Sequence, residues 1–215
     1  MKKREILGTV LLAAMLAAGS VTVLAEEDNT EQETQEQEGD IQKQQSEIDA
    51  ALQAELENGY ALEDALIVVN PYGTAPLSAV AVFTTEEACG GTVTVKGKLA
   101  ENDVTGTFEA DTDHIVPIYG LYSGQATEVV ITLDDGTSST FSVETESVNV
   151  DYGTIQTEIL DESAYDYSQL TFVCSTMGSV YAVDAAGELR FFTDMGGTLG
   201  VHQLRNGHLC MPSSE

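Results

Sequence analysis

The sequence of 215 residues predicts an all-β protein. We expect an antiparallel β-sandwich followed by an incomplete β-propeller blade, preceded by a signal peptide and an acidic spacer with a short helix. Alternating apolar and polar segments over residues 65–146, glycine turns from residue 170 onward and an apolar opening run support this prediction. The predicted parts are residues 1–25 (signal peptide), 26–59 (spacer and helix), 60–147 (sandwich), 148–169 (connector) and 170–215 (truncated first blade).

The beginning of the chain predicts export. The basic start Lys2-Lys3-Arg4 precedes an apolar run that extends to Leu24. Val23 and Ala25 occupy the third and first positions before a cleavage point after Ala25, which suits signal peptidase. The protein is therefore expected in the periplasm or outside the cell. Because the run is long enough to cross a bilayer, an uncleaved membrane anchor is the alternative.

Residues 26–59 divide into two predicted pieces. Residues 26–39 hold no aliphatic or aromatic side chain and predict a disordered acidic spacer, because little apolar burial is available to offset the entropy of ordering. Ile41, Ile48, Leu52 and Leu56 then recur at helical spacing, which predicts a short amphipathic helix ending near Gly59. Such a helix either docks on a partner or second copy, or packs on its own domain.

Seven short segments predict the strands of the sandwich. Pro71, Pro76 and Gly73 lie between the first two and predict a rigid turn, because proline fixes φ and glycine tolerates a positive φ. Asp134-Asp135-Gly136 predicts a tight hairpin between the last two. The segments are residues 65–69, 77–83, 92–98, 104–108, 115–119, 128–133 and 140–146.

The region from residue 170 onward predicts one propeller blade. Strands at residues 170–174, 180–183 and 188–193 are joined by short turns that contain glycine. A propeller needs about 4–8 blades to close. The chain holds material for about one, and it is interpreted as the front part of a longer protein.

Three stretches resemble a known family in order and spacing. They are residues 68–83 with Asn70-Pro71-Tyr72-Gly73, the strand Val93-Thr94-Val95-Lys96-Gly97-Lys98, and residues 114–122, His-Ile-Val-Pro-Ile-Tyr-Gly-Leu-Tyr. Together they resemble the N-terminal domain of the bacterial arylsulfate sulfotransferases. Tyr181-Ala182-Val183-Asp184 and the stretch 204–209 resemble the blade repeats of the same family.

The resemblance implies transfer of sulfate from a phenolic sulfate ester to a phenol, without a cofactor. In that family a propeller histidine carries the sulfuryl group in a ping-pong reaction. No catalytic residue is assigned here, and the 215-residue piece is expected to be inactive. The implied partners are an aryl sulfate donor, a phenolic acceptor and a second copy in a homodimer. The alternative is a non-enzymatic, secreted or anchored β-sandwich module that binds a protein or glycan.

The three histidines have different predicted roles. His114, beside Asp111 and Asp113, is expected in an exposed loop, with a cation site as the alternative. His202 precedes the turn 204–207 and is the predicted substrate-binding residue, with a structural role as its alternative. His208 is expected at the surface or in packing. No spacing predicts a metal site.

Cysteine content and charge narrow the function further. Cys89, Cys174 and Cys210 leave either one bridge, for which Cys174 with Cys210 is favoured, or three free thiols. The formal net charge is −28. A field of that sign repels phosphate backbones, so nucleic-acid binding is excluded.

Overall fold

The structure is a computed structural model that describes residues 30–149, 155–164, 166–167, 169–174, 179–193, 202–203 and 209–210. The predicted signal peptide lies outside these ranges. The chain divides into two compact units, Met1–Ile41 and Gln42–Glu215, and the fold and site below belong to the second. The elements are α1 (Thr30–Glu55), β1 (Leu66–Val69), β2 (Ser78–Val95), β3 (Val104–Tyr119), β4 (Ala126–Leu133), β5 (Ser138–Glu144), β6 (Thr171–Cys174), β7 (Val180–Val183), β8 (Leu189–Thr193), β9 (His202–Gln203) and β10 (Leu209–Cys210).

Helix α1 is longer than the sequence predicted. It begins at Thr30, so the prediction of a disordered spacer is wrong over residues 30–39. Glutamate and glutamine are good helix formers, and a helix needs no apolar residue to satisfy its backbone hydrogen bonds. The predicted end is confirmed: a 3₁₀ turn over Leu56–Asn58 is closed by Gly59, whose φ is 66°.

The second half of α1 packs on its own domain. Leu52 is buried with Val80 and Val82 of β2, and Ile48 and Leu56 pack against the same cluster. Of the two roles predicted for this helix, the intramolecular one is therefore confirmed for these residues.

The seven predicted segments form five strands of one antiparallel sheet. Residues 77–83 and 92–98 lie on the two ends of β2, and residues 104–108 and 115–119 lie on β3. One edge of β2 pairs with β1 near its start and with β4 near its end, while β3 pairs along the other edge. The strand order is β1-β2-β4-β5, with β3 beside β2.

All-β structure is confirmed, but the expected two separate layers are one curled half-barrel sheet. The pairing of β2 with β3 shifts between Thr84 and Cys89 and again before Gly91. Such bulges bend a strand and increase its twist. Both halves of the bent strand therefore supply the same core, with Ala81 and Phe83 from the first half and Val93 and Val95 from the second.

The predicted rigid turn between β1 and β2 is confirmed. Asn70 and Gly73 have φ values of 49° and 74°, and the Gly73 amide donates to the Asn70 carbonyl at 3.0 Å. The Asn70 side chain also accepts from the Ala75 amide at 2.9 Å. The predicted hairpin at Asp134-Asp135-Gly136 is likewise present between β4 and β5, with Gly136 at φ 90°.

The three strands predicted after residue 170 form an antiparallel sheet in the order β6-β7-β8. Leu189 and Phe192 join the core of the five-stranded sheet. The other face presents Val180, Ala182 and Phe191, which form a second cluster with Ala75 and Tyr119. The small sheet is thus packed into the domain. Its identity as a propeller blade stays a prediction.

Gly91 tests the close packing at the bend. A Cβ added there would meet the Thr132 carbonyl oxygen and lie 2.7 Å from Phe108 Cζ. We expect Gly91→Ala to lower the free energy of unfolding by about 1–3 kcal/mol through overpacking. Gly106→Ala is the matched control, because its added Cβ meets only Val93 Cγ1 at 3.5 Å. Urea denaturation measures both, and equal stability of the two variants would contradict a tightly packed bend.

Candidate functional site

A fully buried arginine joins the two sheets. Arg190 in β8 has no exposed surface, and its Nε donates to the Gly120 carbonyl at 2.6 Å. Its Nη1 lies within 3.1 Å of the Asn102 carbonyl, the Tyr122 hydroxyl and Asp184 Oδ2. We refer to these five residues as the Arg190 junction.

The turn after β7 positions the carboxylate of the junction. Asp184 Oδ1 accepts from the amides of Ala186 and Glu188 at 3.0 and 3.1 Å, and Gly187 closes the turn with φ 80°. Oδ2 is therefore left for Arg190 and for the Tyr122 hydroxyl, which donates to it at 3.1 Å. The turn thus fixes the orientation in which the carboxylate meets the arginine.

Tyr122 is the centre of the junction on the side of the larger sheet. The guanidinium carbon lies 4.0 Å from the centroid of its ring, a cation–π contact. Its hydroxyl also accepts from the Lys98 amide at 2.9 Å. Burial raises the pKa of Tyr122, and the Lys98 hydrogen bond and the Arg190 charge partly oppose that rise. The tyrosine is neutral and donates at physiological pH.

The junction is built to hold the sheets together. Arg190 Nε and Nη1 are committed to groups of this chain, while Nη2 and Asn102 Oδ1 are buried and have no hydrogen-bond partner among the described residues. A guanidinium fixed in this way has no exposed face for a substrate anion. We assign the junction a structural role.

The second feature of the domain is an open cleft. It has a volume of about 780 Å³, within the range of small-molecule sites. Its walls come from the second half of α1, the turn before β2, the end of β3 and Phe191 of β8. We refer to it as the Tyr72 cleft.

The polar groups of the Tyr72 cleft are acidic or neutral. The Tyr72 hydroxyl donates to Asp49 Oδ1 at 2.5 Å. Burial, together with this carboxylate, raises the pKa of Tyr72 to about 12, and burial also raises the pKa of Tyr119. No lysine, arginine or histidine is among the described residues that line it.

The prediction of an exposed loop for His114 is wrong. His114 lies within β3 and is only 3% exposed, because the strand continues through residues 109–114. Its ring stacks on Phe83 with 4.5 Å between centroids, and Nε2 is 3.1 Å from Thr85 Oγ1. Burial lowers its pKa, and the charges of Asp111 and Asp113 act in the opposite direction. His114 is a neutral packing residue.

The structure describes the other predicted site residues only in part. The His202 backbone pairs with Cys210 between β9 and β10, but its side chain lies outside the described part, so its substrate-binding role stays a prediction. His208 lies outside the described residues. Among the side chains that the structure describes, no cluster of three metal ligands occurs. Cys89 and Cys174 are free thiols, so the favoured bridge from Cys174 to Cys210 is not formed in this structure.

Sequence reasoning missed the residues that shape both features. Arg190 stands between Leu189 and Phe191 in an apolar strand, and a charge in that setting could have indicated a buried ion pair. Asp49 and Tyr72 gave no such signal. They are 23 residues apart, and only the packing of α1 against the turn brings them together.

Comparison with known families identifies the larger sheet. Residues 66–152 match the family model described as the arylsulfotransferase Ig-like domain. This match confirms the family resemblance seen in the sequence. No curated protein matches the chain.

Replacing Arg190 tests the structural role of the Arg190 junction. We expect Arg190→Met to lower the free energy of unfolding by about 3–5 kcal/mol, because Asp184 would remain buried and charged without its partner. Urea denaturation measures the loss.

Two further variants separate the effect of the Arg190–Asp184 ion pair from the effect of replacing a long side chain. The double variant Arg190→Met with Asp184→Asn should lose less than the sum of the single losses, because no buried charge is left. Lys98→Met breaks a half-exposed ion pair to Glu188 and a contact of Nζ with the Tyr122 ring, 5.2 Å from its centroid, but leaves no charge buried, so it should cost only about 1 kcal/mol. Additive losses in the double variant would contradict the coupling.

Burial of His114 predicts a pH dependence of stability. Its folded pKa lies below the ordinary 6.5, so between the two values the unfolded chain binds more protons than the folded chain. Stability should therefore fall as pH drops from about 7 to about 5, and fall less steeply in His114→Gln. Urea denaturation across this range measures both slopes. Equal slopes would show that the buried ring accepts a proton without cost.

Proposed function

We propose that this chain is the N-terminal part of an exported arylsulfate sulfotransferase, in which the Ig-like domain supports a catalytic part. The observation that carries the proposal is the match of residues 66–152 to the arylsulfotransferase Ig-like domain. The reaction of the whole protein would move sulfate from a phenolic sulfate ester to a phenol.

The Arg190 junction is an argument for the proposed role of the domain as a support for the catalytic part. It clamps the β6-β7-β8 sheet onto the larger sheet through buried polar contacts, with Leu189 and Phe192 inserted in the same core. In our proposal this small sheet is the start of a propeller. A rigid connection would hold the domain at a fixed position against the blades that follow.

The chemistry is proposed to reside on those further blades. Covalent sulfuryl transfer needs an accessible nucleophile beside groups that stabilise negative charge. His114 is buried, with its ring stacked on Phe83 and in edge contact with Phe108, and Arg190 is enclosed in its junction, so neither is available for this work. Histidines on the further blades would have to act, and His202 keeps its proposed role in binding the substrate.

Export is part of the proposal and is supported by the basic and apolar opening of the chain. Within the described residues, no helix has both the length and the apolar character needed to span a membrane.

A second candidate function is a non-enzymatic binding module. The observation that favours it is the Tyr72 cleft, a small-molecule-sized opening built within the described domain. In this candidate the acidic chain and its domain would act without further blades.

Gene sequence and activity test the first proposal together. The reading frame, or one resumed after a shift, is expected to continue beyond the codon for Glu215 and to encode further blade strands with histidines. The purified 215-residue chain should transfer no sulfate from 4-nitrophenyl sulfate to phenol, with an intact arylsulfate sulfotransferase as the positive control. Transfer by the chain alone, or the absence of any blade-like sequence downstream, would contradict the proposal.

A further inference from the structure

We propose that the Tyr72 cleft binds a small organic cation, an ammonium group attached to an aromatic or short aliphatic body. The inference does not rest on the sulfotransferase proposal. Two of the residues that form the cleft, Asp49 and Phe191, lie outside the stretch 66–152 that matches the family model.

Charge selects a cation over an anion. Asp49 is the charged side chain among the described walls, and no described wall residue carries a positive charge. The chain as a whole has a formal net charge of −28, which raises the local concentration of cations and repels anions. An aryl sulfate would enter this cleft without a positive partner, so the cleft is unsuited to the proposed sulfate donor.

Tyr72 holds the carboxylate in place. Its hydroxyl donates to Asp49 Oδ1, and its raised pKa keeps the phenol protonated at physiological pH. A carboxylate accepts more than one hydrogen bond, so the contact with Tyr72 leaves acceptor capacity for a ligand. The Asp49 side chain is exposed on helix α1, and its hydrogen bond with Tyr72 ties it to the opposite wall of the cleft.

The remaining walls suit the body of an organic cation. Tyr72, Tyr119 and Phe191 line the cleft together with Leu52, Ile115 and Pro117. Aromatic faces attract an ammonium group through their quadrupole, and the attraction is stronger where water is displaced. A metal ion would find one carboxylate here, with only neutral oxygens such as those of Gln45, Gln53, Thr74 and Ser78 beside it, whereas an alkylated ammonium can use the aromatic and apolar walls.

Binding of benzyltrimethylammonium to the full chain tests the proposal. Isothermal titration at about 0.15 M salt should give a saturable 1:1 complex. Benzyl alcohol, which is neutral, and phenylacetate, which is anionic, should bind at least about tenfold more weakly. Asp49→Asn should weaken binding of the cation by about three- to tenfold and leave the benzyl alcohol affinity unchanged.

Matched variants distinguish the cleft from the general negative field. Glu47→Gln removes the same charge from an exposed position on α1 that does not line the cleft, and it should change the dissociation constant less than twofold. Tyr72→Phe keeps the aromatic ring but removes the hydrogen bond to Asp49. Tyr72→Ala removes the ring as well as the hydrogen bond, so Tyr72→Ala should weaken binding more than Tyr72→Phe. Circular dichroism would establish that the variants are folded.

Three results would overturn the proposal. The first is the absence of saturable binding of the cation to the folded chain. The second is an equal effect of Glu47→Gln and Asp49→Asn, which would indicate diffuse attraction. The third is tighter binding of benzyl alcohol than of the cation, which would make the cleft a site for neutral aromatic alcohols.

Discussion

Burying a guanidinium costs several kcal/mol unless an opposite charge and hydrogen-bond acceptors compensate it, and the packing of this domain depends on such compensation at Nε and Nη1 of Arg190. Arg190 has no exposed surface and donates to the carbonyls of Asn102 and Gly120, which lie just before and just after β3 of the larger sheet. It also pairs with Asp184 in the turn between β7 and β8 of its own sheet. The two sheets are therefore coupled, since undocking would leave either the arginine or its acceptors with unmatched polar groups.

The bend in β2 is the second constraint. Strand β2 is 18 residues long, and it pairs with β1 through its first half and with β4 through its second half. The shifts in pairing near Cys89 and Gly91 allow both halves to face one core. The outer surface of the first half is then free to receive α1, whose Leu52 packs on Val80 and Val82. The Tyr72 cleft exists because the helix lies there.

Two functional regions follow from this arrangement. The Arg190 junction is closed, polar and internal, and it suits a domain that supports a neighbour. The Tyr72 cleft is open, acidic and partly aromatic, and it suits a ligand. Residues 66–152 match the family model of the arylsulfotransferase Ig-like domain, and the supporting role in a larger enzyme is our proposal for them. The cleft adds walls from before and after that stretch, so it is a feature of this chain as a whole.

The sequence by itself determined what depends on neighbouring residues. Strand segments, the turn at Asn70 and Gly73, the hairpin at Gly136 and the end of the helix at Gly59 follow from alternation and from local backbone preferences. The family resemblance also came from local stretches, and the match over residues 66–152 confirms it.

Only the tertiary structure decided how these pieces are joined. Local patterns predicted seven segments, and pairing between distant strands merged four of them into β2 and β3, which placed His114 in the interior. The junction links Arg190 to Asn102 across 88 residues, and the cleft links Tyr72 to Asp49 across 23. Such contacts depend on which surfaces meet when the chain is packed. Alternation and spacing record which face of a strand is apolar, but they do not record what that face will touch.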